Sequence, residues 1–210
     1  METAAIVVNA ERGVEIATSR MAQAAHAHAL DRIVVVNRID QRDIDLRQVL
    51  DELRANFGAE CLPINLPADG GNRVVDCFFS REGPKADFDT VADAHRRIVE
   101  QVVEVDAELL ERYLGGDETI DAAQLHEPFE QALREGHLIP VCFTAALTGA
   151  GIGELLNLIV RLMPSPLEAN PPAFLKSEGA KATQVTVTRI RRDPCSHMCS
   201  RCAMIFIRDA

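Results

Sequence analysis

The stretch Ile33-Val34-Val35-Val36-Asn37-Arg38-Ile39-Asp40 decides how the rest of the chain is read. Four β-branched residues in a row make a strand with no polar face, the pattern of a parallel strand covered on both sides. The polar residues begin where that strand runs out, and in open α/β sheets ligands bind just beyond the carboxyl ends of the strands. An Asp in that place accepts two hydrogen bonds side by side, from the N1–H and 2-amino groups of guanine. Adenine cannot offer that pairing. Asn37 carries an amide suited to tying the loop to neighbouring backbone, and the flat Arg38 guanidinium can lie over a base. The plainer use of Asp40 is to cap the following turn.

A second strand end completes the pattern. Leu138-Ile139-Pro140-Val141-Cys142-Phe143 is apolar throughout and runs into Thr144-Ala145-Ala146-Leu147. Thr148-Gly149-Ala150-Gly151-Ile152-Gly153 then leads into an apolar helix. The first tetrad resembles the Asn-Lys-x-Asp guanine-specificity motif of GTP-binding proteins, with Arg38 in the Lys position. The second loop is similar to the Ser-Ala-x turn of the same proteins, whose backbone N–H meets the guanine O6. Here Ala146 and Leu147 match and Ala145 replaces the Ser, a change that keeps backbone donors and loses a side-chain tether.

Three further segments extend the likeness in chain order. Val7-Val8-Asn9-Ala10-Glu11-Arg12-Gly13-Val14-Glu15 resembles the strand and turn after the second switch of bacterial elongation factor G. Glu108-Leu109-Leu110-Glu111-Arg112-Tyr113-Leu114-Gly115-Gly116 is similar to part of the subdomain inserted into that family's GTPase fold. Leu162-Met163-Pro164-Ser165-Pro166 resembles its exit towards the second domain. From about Ala4 to about Ala182 the chain thus resembles the later part of the elongation factor G GTPase domain, and in particular its elongation-factor-G-like variants. The resemblance implies GTP or GDP as ligand, with Asn37, Arg38, Asp40, Ala145, Ala146 and Leu147 as nucleotide-binding residues. It also implies a role in ribosomal translocation, the ribosome as partner and a cytoplasmic location.

Phosphate chemistry needs residues that are missing. A hydrolase of this class uses a Gly-rich loop with Lys and Ser/Thr to hold the β- and γ-phosphates and Mg²⁺. No G-x-x-x-x-G-K-[ST] and no Asp-x-Pro-Gly turn occurs in the 210 residues. His26 and His28 fall in a different helix from the family's switch His and are not its counterparts. The expectation is a fragment that begins after the phosphate-handling half, with no catalytic residue and no resident metal. Mg²⁺ would require the missing motifs. The strand at Ala4–Val8 would then have an open edge, a template for association with other chains. Two other readings stay open: a non-enzymatic guanine-nucleotide or protein-binding module, and a non-functional remnant.

Composition restricts the remaining choices. The net charge is −10 and 47% of residues are hydrophobic, with mean hydropathy near zero. Residues 1–182 hold 17 Lys and Arg against 30 Asp and Glu, whereas residues 183–210 hold 5 against 2. An acidic body argues against broad adhesion to nucleic acid and against sequence-specific DNA binding. No apolar run approaches the roughly 18 residues of a membrane span, and no basic segment precedes an apolar stretch at the N-terminus.

The order of elements is that of an α/β fold. It corresponds to the later part of a P-loop GTPase parallel sheet with helices on both faces, plus an inserted α/β subdomain and a disordered or aberrant tail. Strands are expected at Ala4–Val8, Ile33–Val36, Leu62–Leu66 and Val74–Phe79. Helices are expected from Glu15 to about Ala29 and from an Asp43 or Asp45 cap to about Phe57, stopped by Gly58. Residues 1–80 form a partial GTPase domain and 81–136 an inserted helical subdomain; 137–166 complete the GTPase domain and 167–210 are linker and unassigned tail. Within the insertion, Ile98, Val102, Val105 and Leu109 recur at helical spacing through Tyr113, and Leu125, Phe129 and Leu133 mark a second helix ended by Gly136. Glu100, Glu104, Glu108 and Glu111 fall on the outer face. That face reads as solvated, and by resemblance as a surface for basic stalk proteins of the large ribosomal subunit.

Other chemistry-bearing residues have plain readings. Cys61, Cys77 and Cys142 sit in apolar surroundings as small hydrophobes. Cys195, His197, Cys199 and Cys202 are crowded into eight residues of the tail, without the separated ligand pairs that wrap a structural zinc. Gly149-Ala150-Gly151-Ile152-Gly153 reads as a tight turn into the last helix. His95, His126 and His137 are isolated.

Overall fold

The computed structural model describes residues 3–116 and 124–163, and the backbone of four short strands at 174–178, 181–185, 187–188 and 206–207. Its centre is a parallel sheet of four strands: β1 (Thr3–Asn9), β2 (Asp31–Asn37), β3 (Cys61–Pro63) and β6 (Ile139–Thr144). They lie in the order β1-β2-β6-β3, so β6 enters between β2 and β3. Asn9 pairs with Asn37, and Asn37 with Thr144, which brings three strand exits level at the carboxyl edge. β1 is an edge strand of this sheet, as the sequence leads one to expect.

Burial follows the pleat. Ile33 and Val35 of β2 join Cys142 of β6 in one apolar cluster, while Val34 and Val36 join Val141 and Phe143 in the other. Successive side chains of a strand point to opposite faces, so a sheet covered on both sides requires an unbroken β-branched run. α1 (Ile16–Ala27) and α2 (Leu46–Phe57) cover the second face. Leu46, Val49, Leu50 and Leu53 form the buried stripe of α2. The Asp45 carboxylate caps that helix by accepting the N–H groups of Arg47 at 3.0 Å and Gln48 at 3.1 Å, and Gly58 ends it at φ +117°.

The opposite face is covered by α3 (Val91–Val103), α4 (Ala107–Leu114), α5 (His126–Glu135) and α6 (Ile152–Arg161). Phe129 and Phe78, both fully buried, meet edge to face at 5.0 Å. Ile98, Val102, Phe129 and Leu133 share their cluster with Ile33 and Val35 of the central sheet. The helices of the 81–136 stretch are therefore packed on the sheet itself, while Glu100, Glu104, Glu108 and Glu111 face solvent.

Three local expectations change. The single helix through Tyr113 is two helices, because Asp106 turns to accept the N–H groups of Glu108 at 2.9 Å and Leu109 at 3.0 Å and so starts a new one. An Asp side chain competes well for backbone donors at an N-cap, and apolar spacing alone cannot show that break. The run Leu62–Leu66 is likewise divided. β3 stops at Pro63, and β4 (Asn65–Ala68) leaves the sheet to pair with β5 (Arg73–Asp76) as an antiparallel hairpin. In the 167–210 stretch, β7 (Phe174–Glu178) pairs antiparallel with β8 (Lys181–Val185), and β9 (Val187–Thr188) with β10 (Phe206–Ile207). Along these strands only residues 184–188 alternate polar and apolar side chains, the signal by which a half-buried strand is read. Cys195, His197, Cys199 and Cys202 lie outside the described residues. Among the described residues, no helix is long and apolar enough to cross a membrane.

Burial pushes the thiols of Cys61, Cys77 and Cys142 up to about 12. Since the thiolate is the reactive form, the three stay protonated and unreactive at neutral pH while the fold persists. Peptide mapping after brief iodoacetamide treatment at about pH 7.5, below the ordinary thiol range, should find all three unmodified in the native chain and modified in denaturant. Rapid native labelling of Cys142 would contradict this packing.

Candidate functional site

The site is built where β1, β2 and β6 end, and Asn37 connects all three. Its carbonyl oxygen accepts the N–H of Ala10 at 2.9 Å, beyond β1. Its side-chain Oδ1 accepts the N–H of Arg38 at 2.9 Å and the N–H of Ala146 at 3.0 Å, beyond β6. Two further bonds join β2 and β6: Ile39 N–H to the Thr144 carbonyl at 3.2 Å, and the Thr144 hydroxyl to the Val36 carbonyl at 3.2 Å. The loops after residues 37 and 144 are thereby one unit.

Each predicted residue has a definite place in it. Asn37 is half-buried and makes the tie foreseen for it. Arg38 adopts φ +69°, a left-handed conformation uncommon for a residue with a Cβ. Its guanidinium reaches sideways to Glu11 at 3.6 Å, with both side chains at least half exposed. An exposed pair of this kind contributes only about 0–1 kcal/mol, so the Arg38 side chain is easily released from Glu11. Asp40 is half-buried at the turn that closes the tetrad. Ala145 is 1% exposed; its N–H donates to Ala150 at 2.8 Å and its carbonyl accepts Gly149 at 2.8 Å. It shapes the loop and offers no free donor. Leu147 is 95% exposed at the loop's outer rim.

The 149–153 glycine run acts as a turn. Gly151 lies at φ +76° and a Cβ there would overlap the carbonyl oxygen of Phe143, so only glycine lets the loop fold back on β6 before α6 begins. A cleft of about 560 Å³ runs from Ile39 and the start of α2 to Gly70 and Asp87. It lies beside the tetrad, with neither Asp40 nor Ala146 in its lining.

Sequence reasoning missed several residues that build this site. Glu11 pairs with Arg38 across the β1 and β2 exits. Asn65, 1% exposed, bonds to Phe143 just before the second loop. Gly71 packs on the Ile39–Asp40 peptide. Two of them left a trace: Asn65 is a lone polar residue in the apolar run Leu62–Leu66, and Gly70-Gly71 marks a turn needing positive φ.

Known proteins resemble this chain in sequence and in fold. The family model described as the elongation factor Tu GTP binding domain matches residues 1–165. The chain belongs to that family. Two curated relatives, both named elongation factor G-like protein and from two strains of Mycobacterium tuberculosis, are 30% identical over 190 residues. The match covers 85% of this chain and 26% of each relative, so the chain spans about a quarter of their length. A crystal structure of a protein from Thermus thermophilus aligns at TM-score 0.64 with 32% identity, over 77% of this chain and 26% of that one. The α/β fold and the translational-GTPase family are thus shown.

Asn37→Ala removes the acceptor for Ala146 N–H and leaves the strands paired. The bond is worth about 1 kcal/mol, so amide exchange at Ala146 should accelerate about fivefold to tenfold while Val35 and Cys142 keep their protection. Exchange measured by NMR checks this; an unchanged Ala146 rate would show that the tie is not made in solution.

Proposed function

We propose that this chain is the base-recognising part of an elongation-factor-G-like GTPase, binding GTP or GDP by its guanine and serving ribosomal translocation in the cytoplasm as part of a longer machine. The observation that carries the reading is the placement of Asp40 and Ala146 on adjoining loops tied by Asn37. Asp40 accepts the guanine N1–H and 2-amino group, the Ala146 N–H turns to O6, and Arg38 leaves Glu11 to cover the ring. The Ala146 donor is held by Asn37, so the base shares or displaces that bond on entry.

Hydrolysis is a separate matter. Phosphoryl transfer depends on a phosphate loop, Mg²⁺ and switch residues that neutralise developing charge, and the 210 residues contain no sequence of that kind. The chain by itself therefore binds weakly and does not turn over GTP. Its exposed Glu100, Glu104, Glu108 and Glu111 provide an acidic face for basic ribosomal proteins. The missing phosphate motifs also favour a second reading: a guanine-nucleotide or protein-binding module without turnover.

Purified 1–210 should release no phosphate from Mg²⁺-GTP above background. GDP should bind in the millimolar range, about −4 kcal/mol, shifting the amides of Asn37 to Asp40, while ADP leaves them in place. Equal shifts with both nucleotides would remove base recognition. Turnover lost on Asp40→Ala would overturn the expectation of an inactive chain.

A further inference from the structure

The β4–β5 hairpin touches the first loop at Ile39–Asp40 and, at Phe143, the strand that leads into the second. At its base, the buried Asn65 side chain takes the place of a missing strand. β3 pairs with β6 only as far as Pro63 and Val141, and Ile64 N–H still reaches the Val141 carbonyl at 2.9 Å. Beyond that point, Asn65 Oδ1 accepts the Phe143 N–H at 2.7 Å and Nδ2 donates to the Phe143 carbonyl at 3.1 Å. A planar side-chain amide reproduces both halves of a backbone pairing. It fixes the last stretch of chain before Thr144 and Ala146.

The hairpin's tip presses on the other loop. Gly71 is buried at φ +79°, and a Cβ there would overlap the carbonyl oxygen of Ile39 and stand 3.2 Å from the Asp40 nitrogen. The tip is itself held in place. The Asp87 carboxylate accepts the N–H groups of Gly70 at 3.2 Å and Gly71 at 3.1 Å, and the Asp87 N–H donates to the Pro67 carbonyl at 2.9 Å. Gly70 makes a built-in comparison: it has φ +64°, yet a Cβ there would meet nothing within 4 Å.

We propose that this hairpin is the positioning element for guanine selection, setting Asp40 through Gly71 and Ala146 through Asn65. This rests on the assignment of Asp40 and Ala146 as base contacts and adds the device that holds them at the right separation. Paired hydrogen bonds to a base edge require placement to within about 0.5 Å. Asn37 and the Ile39–Thr144 bond join the two loops to each other, and the hairpin bears on each side of that joint, at the Ile39–Asp40 peptide and at Phe143. Gly71, Asn65 and Asp87 are positioning residues, since none of them reaches the base.

The test uses the ¹⁵N-labelled full chain as wild type, Gly71→Ala, Gly70→Ala and Asp87→Ala, titrated with GDP and with ADP. Both glycine variants meet the same demand for positive φ, and only Gly71→Ala pushes on the Ile39–Asp40 peptide. Gly71→Ala should move the Ile39 and Asp40 amides of the unliganded chain, weaken GDP about tenfold and narrow its preference over ADP. Gly70→Ala should do neither. Asp87→Ala, an exposed substitution that frees the tip, should weaken GDP about threefold while lowering the thermal midpoint by only about a few degrees, and it decides the matter if Gly71→Ala does not fold. Equal effects of the two glycine variants, or full guanine preference in Asp87→Ala, would overturn the proposal. If wild type binds no GDP, base recognition fails; the unliganded amide shifts then still decide whether the hairpin places Asp40.

Discussion

The Oδ1 atom of Asn37 accepts two backbone N–H groups, one from its own loop and one from Ala146, and the geometry of the site depends on that shared acceptor. The two loops are 109 residues apart in the chain. They meet because β6 returns to lie beside β2, in a register that places Thr144 against Asn37. The carbonyl of the same residue holds Ala10 at the end of β1. One residue therefore fixes three strand exits, using its main-chain and side-chain oxygens for different neighbours. A shorter or purely apolar side chain there would leave the sheet and the Ile39–Thr144 bond intact and free the N–H groups of Arg38 and Ala146. The demands of the sheet and those of the site are separable at Asn37.

Between β2 and β6 the chain makes a long excursion that also serves the site. Part of it, joined by α6, forms the apolar cover for one face of the sheet. Another part is the β4–β5 hairpin, which turns away from the sheet at Ile64 and packs its tip on the Ile39–Asp40 peptide. Phe88, next to Asp87, meets Phe143 edge to face at 5.7 Å, so the loop that holds the hairpin tip is also packed on β6. An aromatic pair of this kind contributes about 0.5–1.5 kcal/mol beyond its buried area. Packing, hairpin and the strand-exit loops are thus coupled through neighbouring residues.

Much of this was legible in the sequence because its signals are local. Ile33–Val36 is uniformly β-branched since both of its faces are covered, and the polar tetrad after it marks the strand's carboxyl end without ambiguity. Asp45 and Gly58 bound α2 by capping chemistry that depends only on near neighbours. The break at Asp106 was not legible, because Ile98, Val102, Val105 and Leu109 keep a helical rhythm across it and the competing side-chain bond is not a matter of periodicity. Asn65 and Gly71 were hidden for a different reason. Each acts on a segment distant in sequence, Phe143 in one case and Ile39–Asp40 in the other, and only the fold shows which partner they meet. The sideways reach of Arg38 to Glu11 likewise depends on the pairing of β1 with β2.

The most direct measurement exchanges hydrogen-bond partners at Asp40. Xanthine carries an acceptor carbonyl where guanine carries the 2-amino donor, and an Asn amide matches that edge where a carboxylate does not. Binding of GDP and xanthosine diphosphate should be compared for the wild-type chain and Asp40→Asn at the same salt. If Asp40 reads the base edge, wild type prefers GDP and Asp40→Asn prefers xanthosine diphosphate, a reversal that loss of folding cannot produce. A variant that still prefers GDP, or that loses GDP without gaining xanthosine diphosphate, would contradict the assignment.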